Sequence, residues 1–307
     1  MDKSKLIRIL RSLSKAEIKE LEKFISSPYF STGRNCVPLF HVLKTGWPEF
    51  KGEQITKSAV YEKLYPSKNY GDKRSRSILS TLSSELYRLV IEFLTYSGLK
   101  NDRRNKKLLL LRNLLDKNLY REFDAEYNST KSDNAPGENS ERRGSAANFL
   151  ESFRVGYIYN EYAWKRSDME GLYNGLLSST DDALAFALIT VYKFMDTKDT
   201  AAVTFNIKTG KTFADILLDA LDNEKMLSAL KEHYPELYPY VHINYLVYMM
   251  NRNKSEMNDE SLLHYRRLKD TVEKDRDAFG HREKYMLYQA LENYMAMRLE
   301  QNQQEKE

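Results

Sequence analysis

The chain has 307 residues, 41% apolar and 30% charged, with a net charge of +4. That length can bury one large core or two ordinary ones. With only 12 Gly and 7 Pro it lacks the turn density of a sandwich or barrel, and no apolar run approaches the roughly 18 residues of a membrane span.

Leu6, Ile7, Leu10 and Leu13 mark a short opening helix. Ser14-Lys15-Ala16-Glu17 is a capping box that starts a second, with Ile18, Leu21, Phe24 and Ile25 on one face. Pro28 disfavours helical geometry at Ser27 and ends it. Tyr29 and Phe30 are expected to tuck beneath the turn as a hydrophobic plug. A third helix takes Val37, Leu39, Phe40 and Leu43, and breaks at Gly46-Trp47-Pro48. Thr56 caps a fourth, with Val60, Tyr61, Leu64 and Tyr65 before Pro66. Asp72 caps the clearest helix, whose apolar face runs from Ile78 through Leu82, Leu86 and Val90 to Phe93, and Ser97-Gly98 is expected to end it.

Further helices are expected over 99–130, then a solvated linker over 131–145, "KSDNAPGENSERRGS", which has no large apolar residue. Beyond it the pattern predicts helices near 146–165, 168–178, 181–196, 212–222, 224–233, 238–251, 260–277 and 281–302. "AAVTFNIKTG" is the one window where an extended segment competes. The fold class read from this is all-α. An N-terminal helical unit spans 1–98, and 146–307 forms stacked antiparallel helical hairpins, TPR-like in layout but without a strict repeat consensus.

A search for chemistry finds no local motif. The five histidines form neither HExxH nor a Cys/His cluster, so no metal or cofactor is expected. Cys36 and His41 share a short apolar helix, where a core thiol and a helix-edge imidazole are the plain reading. Gly210-Lys211-Thr212 ends like a P-loop, but Phe205 stands where the motif needs its first Gly. Gly210 reads better as a turn, and Thr212-x-x-Asp215 as a helix start. The protein is expected not to be an enzyme; the third-ranked reading is an enzyme without a local motif, its side chains assembled from distant helices.

Two other patterns point to binding. The chain holds 22 Tyr and 10 Met, many in "YPELYPYVHINYLVYMM" and "YMLYQALENYMAM". Tyr and Met suit interfaces. Asn244-Tyr245 and Asn293-Tyr294 repeat one pairing on two helices, and an Asn amide can bond a peptide backbone both ways. These four are the candidate peptide-binding residues, and the first expectation is a scaffold or adaptor that binds a protein or peptide along a helical groove. The second pattern is charge. Residues 1–100 hold 18 Lys/Arg against 10 Asp/Glu, a balance of +8. Along the helix over 72–94, Arg74, Ser77, Thr81, Ser84 and Arg88 form an exposed stripe, with Lys68, Lys73 and Arg76 at its N-terminal end. Lys68, Lys73, Arg74, Arg76 and Arg88 are therefore candidate nucleic-acid-binding residues, the alternative expectation. A single cysteine and a charged start without a secretion signal lead to a cytoplasmic expectation, with no membrane partner.

The first hundred or so residues resemble an all-helical Bacteroidetes protein family that carries "LSxxE…F…SPYF". The matching residues are Leu13-Ser14-x-x-Glu17, Phe24 and Ser27-Pro28-Tyr29-Phe30, then Val60-Tyr61 to Tyr65-Pro66, Tyr70-Gly71-Asp72 and Phe93-Leu94. The chain departs at Ser31, where Asn is common, and at Tyr65, where Phe is common. The resemblance implies that the SPYF segment is an architectural junction; it implies no activity and transfers no site. The layout is also similar to transcriptional activators with a winged-helix head and a tetratricopeptide-like body, although no wing-forming hairpin follows Gly98.

Overall fold

The computed structural model describes residues 4–31, 33–52, 55–134, 145–208, 210–252, 258–274 and 278–304. The described residues form 14 α-helices and no strand, an all-α protein. Among them no helix is long and apolar enough to cross a membrane. The chain divides into two compact units, Met1–Lys106 and Lys107–Glu307.

The first unit contains α1 (Lys5–Ser12), α2 (Lys15–Ser26), α3 (Val37–Lys44), α4 (Lys57–Leu64) and α5 (Lys73–Asn101). The capping residues act as the sequence indicates. Ser14 closes a capping box with Glu17, Thr56 accepts the Ala59 N–H, and Asp72 accepts the Ser75 N–H at 2.6 Å. α5 is the spine, and each of the other four helices packs against it. Its buried face, Leu79, Leu82, Leu86, Leu89, Val90 and Phe93, meets Ile7, Leu10, Leu21, Phe40 and Val60 in one core.

Two local expectations need correction. α5 does not stop at Ser97-Gly98 but runs on to Asn101. Gly98 does not take the positive φ that a glycine cap uses, so the helix passes through it. In the SPYF segment, Phe30 does pack inward, stacked on Phe24 at 4.0 Å and edge-on to Tyr96 at 4.8 Å. Tyr29, however, stays 78% exposed: Phe30 fills the space under the turn, and Tyr29 meets it only edge-on from outside at 4.9 Å.

The second unit comprises most of α6 (Arg103–Asp116), then α7 (Tyr120–Asn134), α8 (Ala146–Lys165), α9 (Met169–Thr204), α10 (Phe213–Ala220), α11 (Asn223–His233), α12 (Tyr238–Asn251), α13 (Asp259–Lys274) and α14 (His281–Gln304). Of the expected linker, Lys131–Asn134 form the end of α7, Ser145 caps α8, and 135–144 lie outside the described residues. The two helices expected over 168–178 and 181–196 are one helix of 36 residues, α9, which also takes in Ala201–Thr204. The Ser-Ser-Thr-Asp stretch that suggests a cap does not break it. Ser179 is buried, and the Thr180 hydroxyl donates to the Leu176 carbonyl one turn back.

α8 packs along α9, α9 against α12, and α12 against α13. α12 is buried on nearly every side, with Val241, Ile243, Leu246, Tyr248 and Met250 all in the core. A helix apolar all round belongs in the middle of a domain, and α12 touches α9, α11, α13 and α14. A smaller core joins α6, α7 and α8 through Leu111, Leu115, Phe123 and Tyr162.

Candidate functional site

Within the first unit, α1 and α4 leave an open cleft of about 780 Å³ along one face of α5. Its α5 wall is Arg76, Leu79, Ser80, Ser83, Ser84 and Tyr87, which recur at three- and four-residue steps and so share one face. Ser4 and Lys5 come from the start of α1, Lys57 from the start of α4, and Tyr70 from the loop before α5. Among the described residues no carboxylate lines it.

Lys5, Lys57 and Arg76 therefore face one concavity with hydroxyl groups between them. The starts of two helices open on the same space, so their partial positive ends add to the three cations. Ser4 accepts the Ile7 N–H at 3.3 Å, which fixes the start of α1. Asp72, the nearby acid, is turned into the cap of α5. The Ser75 hydroxyl and amide hold its carboxyl below the usual carboxylate range. The arrangement suits a chain of negative charges that enters a groove and bonds to hydroxyls, with Tyr70 and Tyr87 as half-buried rings at its edge.

Of the five candidate nucleic-acid residues, only Arg76 lines this cleft. Lys73 and Arg74 stand exposed on the first turn of α5 without an ion pair among the described residues. Lys68 lies over the Tyr65 ring at 5.7 Å. Arg88 is held by Glu85 and Glu92, both at 3.3 Å, so the far end of the stripe is neutralised on its own helix. Lys5 and Lys57 escape sequence reading because 51 residues separate them, and only packing against α5 unites them. A sequence signal does exist. α1, α4 and α5 all begin with basic residues and have no acid in the first turn, against the preference set by the helix dipole.

The peptide-binding candidates require a correction, because three of the four belong to the core. Tyr294 is 0% exposed, stacked on Tyr265 at 5.2 Å, and its hydroxyl shares a hydrogen bond with Ser261 at 2.8 Å. Tyr245 is 7% exposed and packs edge-on against Tyr192 at 5.7 Å and His264 at 6.2 Å; burial pushes its phenol pKa up. Asn244 donates its amide to the Tyr240 carbonyl at 2.7 Å, within its own helix. Only Asn293 is exposed. The Asn-Tyr pairs therefore do not line an open groove. The tyrosines fill the space between helices because α12 and α14 turn those faces inward.

Cys36 is fully buried beside the Leu82 carbonyl, and burial pushes its thiol up to about 11. His41 sits at the surface with the Glu22 carboxylate at 2.9 Å. Thr212 and Asp215 close the capping box of α10, and Lys211 pairs with Asp219 at 2.9 Å. Among the described residues no three His, Cys, Asp or Glu side chains gather as a metal site would need. No family model matches the chain, and no curated protein or solved structure matches it either.

Proposed function

We propose that this protein is a non-catalytic nucleic-acid-binding protein whose first unit takes a single strand into the cleft formed by α1, α4 and α5. The observation that carries the proposal is the cleft's lining: three cations, several hydroxyls, two tyrosines and, among the described residues, no carboxylate. Phosphates would meet Lys5, Lys57 and Arg76, the serines would bond to phosphate or sugar oxygens, and Tyr70 and Tyr87 would offer ring faces to bases. A recessed cleft favours a strand over a duplex, because α1 and α4 flank the face of α5 that would otherwise enter a groove. The hairpins of the second unit act in this proposal as a helical array that regulates or presents the first.

The test is fluorescence anisotropy of labelled single-stranded DNA with the full chain. The wild type is expected to bind, the Lys57→Ala/Arg76→Ala double variant to bind at least tenfold more weakly, and Arg88→Ala to bind as the wild type does. Equal binding by the double variant would end the proposal.

A second reading, the scaffold or adaptor, is favoured by a separate observation. Phe194 on α9 is 70% exposed, and Tyr157, Trp164, Tyr173, Leu177 and Leu184 also stand exposed on α8 and α9. So much apolar surface suits a protein partner. Trp164→Asp together with Tyr173→Asp should abolish partner capture without loss of helical content if that reading holds.

A further inference from the structure

A second cleft, of about 700 Å³, lies within the second unit between α7, α8 and α9. The α9 side of it is polar and narrow: Gly171, Asn174, Gly175, Ser178 and Ser179 follow one another on a single face. Asp168 stands at one end of that face and Asp182 at the other. They are fourteen residues apart, which is about 21 Å along a helix axis. Asp124 of α7 adds a third carboxylate, and Lys131 is the one cation among the described lining residues.

None of the three carboxylates makes an ion pair among the described residues. Asp168 uses one oxygen to accept the Gly171 N–H at 2.9 Å. Burial, and after it the Asp124 carboxylate nearby, pushes the Tyr162 phenol up to about 12. Burial raises the Asp182 carboxyl pKa in spite of the Ser152 hydroxyl nearby, which marks a charge with too little compensation. Beneath the floor lies a buried acceptor that the cleft does not expose. Asn160 is 9% exposed and donates to Ser179 at 3.2 Å, but its Oδ1 has no partner and lies directly against Gly175. Tyr127 and Tyr159 stack at 4.5 Å and form an aromatic wall.

The cleft is thus elongated, rich in acceptors, net negative and aromatic on one side. We propose that it binds a linear aliphatic polyamine, whose ammonium groups meet Asp168, Asp124 and Asp182 and whose methylene segments lie on the tyrosine rings. An ammonium brings donors only, so it complements a site with surplus acceptors, whereas a sugar brings as many acceptors as donors. Cations also favour aromatic faces over apolar walls. This site is independent of the nucleic-acid cleft, and either proposal can fail alone.

The test is calorimetric titration of the full chain with spermidine at fixed ionic strength. Trehalose and magnesium chloride serve as the neutral and inorganic-cation controls. Saturable 1:1 binding of spermidine is expected, with no heat from trehalose. Asp168→Asn/Asp182→Asn should weaken it at least tenfold; Asn at 168 still caps α9, so helical content should hold. Asn174→Lys, at an exposed lining position, places a resident ammonium in the cleft and should abolish binding by a folded protein. Three results would each overturn the proposal: absence of saturable binding, equal binding by both variants, or displacement of spermidine by magnesium at matched ionic strength.

Discussion

Gly175→Ala is predicted to destabilise the protein, although glycine-to-alanine changes within helices ordinarily do the reverse. Alanine gains about 1 kcal/mol over glycine in a helix interior. At position 175 the added Cβ would collide with Asn160 Oδ1 and stand 3.2 Å from the Tyr159 ring. The ring is held by its stack on Tyr127, so the Asn160 side chain or the α8–α9 spacing must give. Overpacking of this kind costs about 1–3 kcal/mol, and loss of the Asn160–Ser179 hydrogen bond adds about 1 kcal/mol. Against the propensity gain, the net expectation is a loss of about 1–3 kcal/mol. Gly98→Ala is the internal control. Gly98 lies within α5 with open space around it, so alanine there should stabilise by about 0.5–1 kcal/mol. Urea unfolding followed by far-UV circular dichroism measures both. If Gly175→Ala stabilises as Gly98→Ala does, α8 and α9 do not approach as described.

Three further outcomes are expected from the same unfolding measurements. Ser14→Ala removes the side-chain arm of the capping box, the 3.2 Å bond from the Glu17 amide to the Ser14 hydroxyl, while the residue-14 backbone N–H keeps its 2.7 Å bond to the Glu17 carboxylate, and should cost about 1 kcal/mol. Tyr294→Phe loses the Ser261 bond in the core and should cost about 0.5–1.5 kcal/mol, while Asn293→Ala beside it should change stability by less than about 0.5 kcal/mol; equal effects would contradict the burial of Tyr294. Asp215 is held well below the usual carboxylate range, first by Lys198 at 2.8 Å and then by Thr212. A depressed folded-state pKa contributes stability that is complete above the unfolded value, about 3.9, and fades as pH falls below it. The wild type should therefore exceed Asp215→Asn in stability above about pH 5, with the gap closing below about pH 4; a gap constant from pH 7 to 3 would refute the ion pair.

The first unit was legible because its helices are short, amphipathic and separately capped. Ser14, Thr56 and Asp72 announce their own starts, and Leu82, Leu86 and Val90 show which side of α5 is covered. Errors arose where a local signal has two physical outcomes. Gly98 can cap a helix or continue it, and Ser179-Thr180 can start one or bond back within one; tertiary packing decides both. The tyrosine-rich stretch of α12 misled for another reason. Its composition suits an interface or a core equally well, and only the number of helices packed around it separates the two. Arg76 was readable as a candidate, whereas Lys5 and Lys57 join it through the packing of α1 and α4, which no spacing in the sequence encodes.

The measurement that bears most directly on the central claim is the salt dependence of single-stranded DNA binding by the full chain. Each phosphate neutralised on a single strand contributes a slope of about −0.7 to log affinity against log salt, so Lys5, Lys57 and Arg76 together predict about −2. Lys57→Ala/Arg76→Ala should reduce the slope to about −0.7. A wild-type slope near zero, or the same slope in both proteins, would contradict the account.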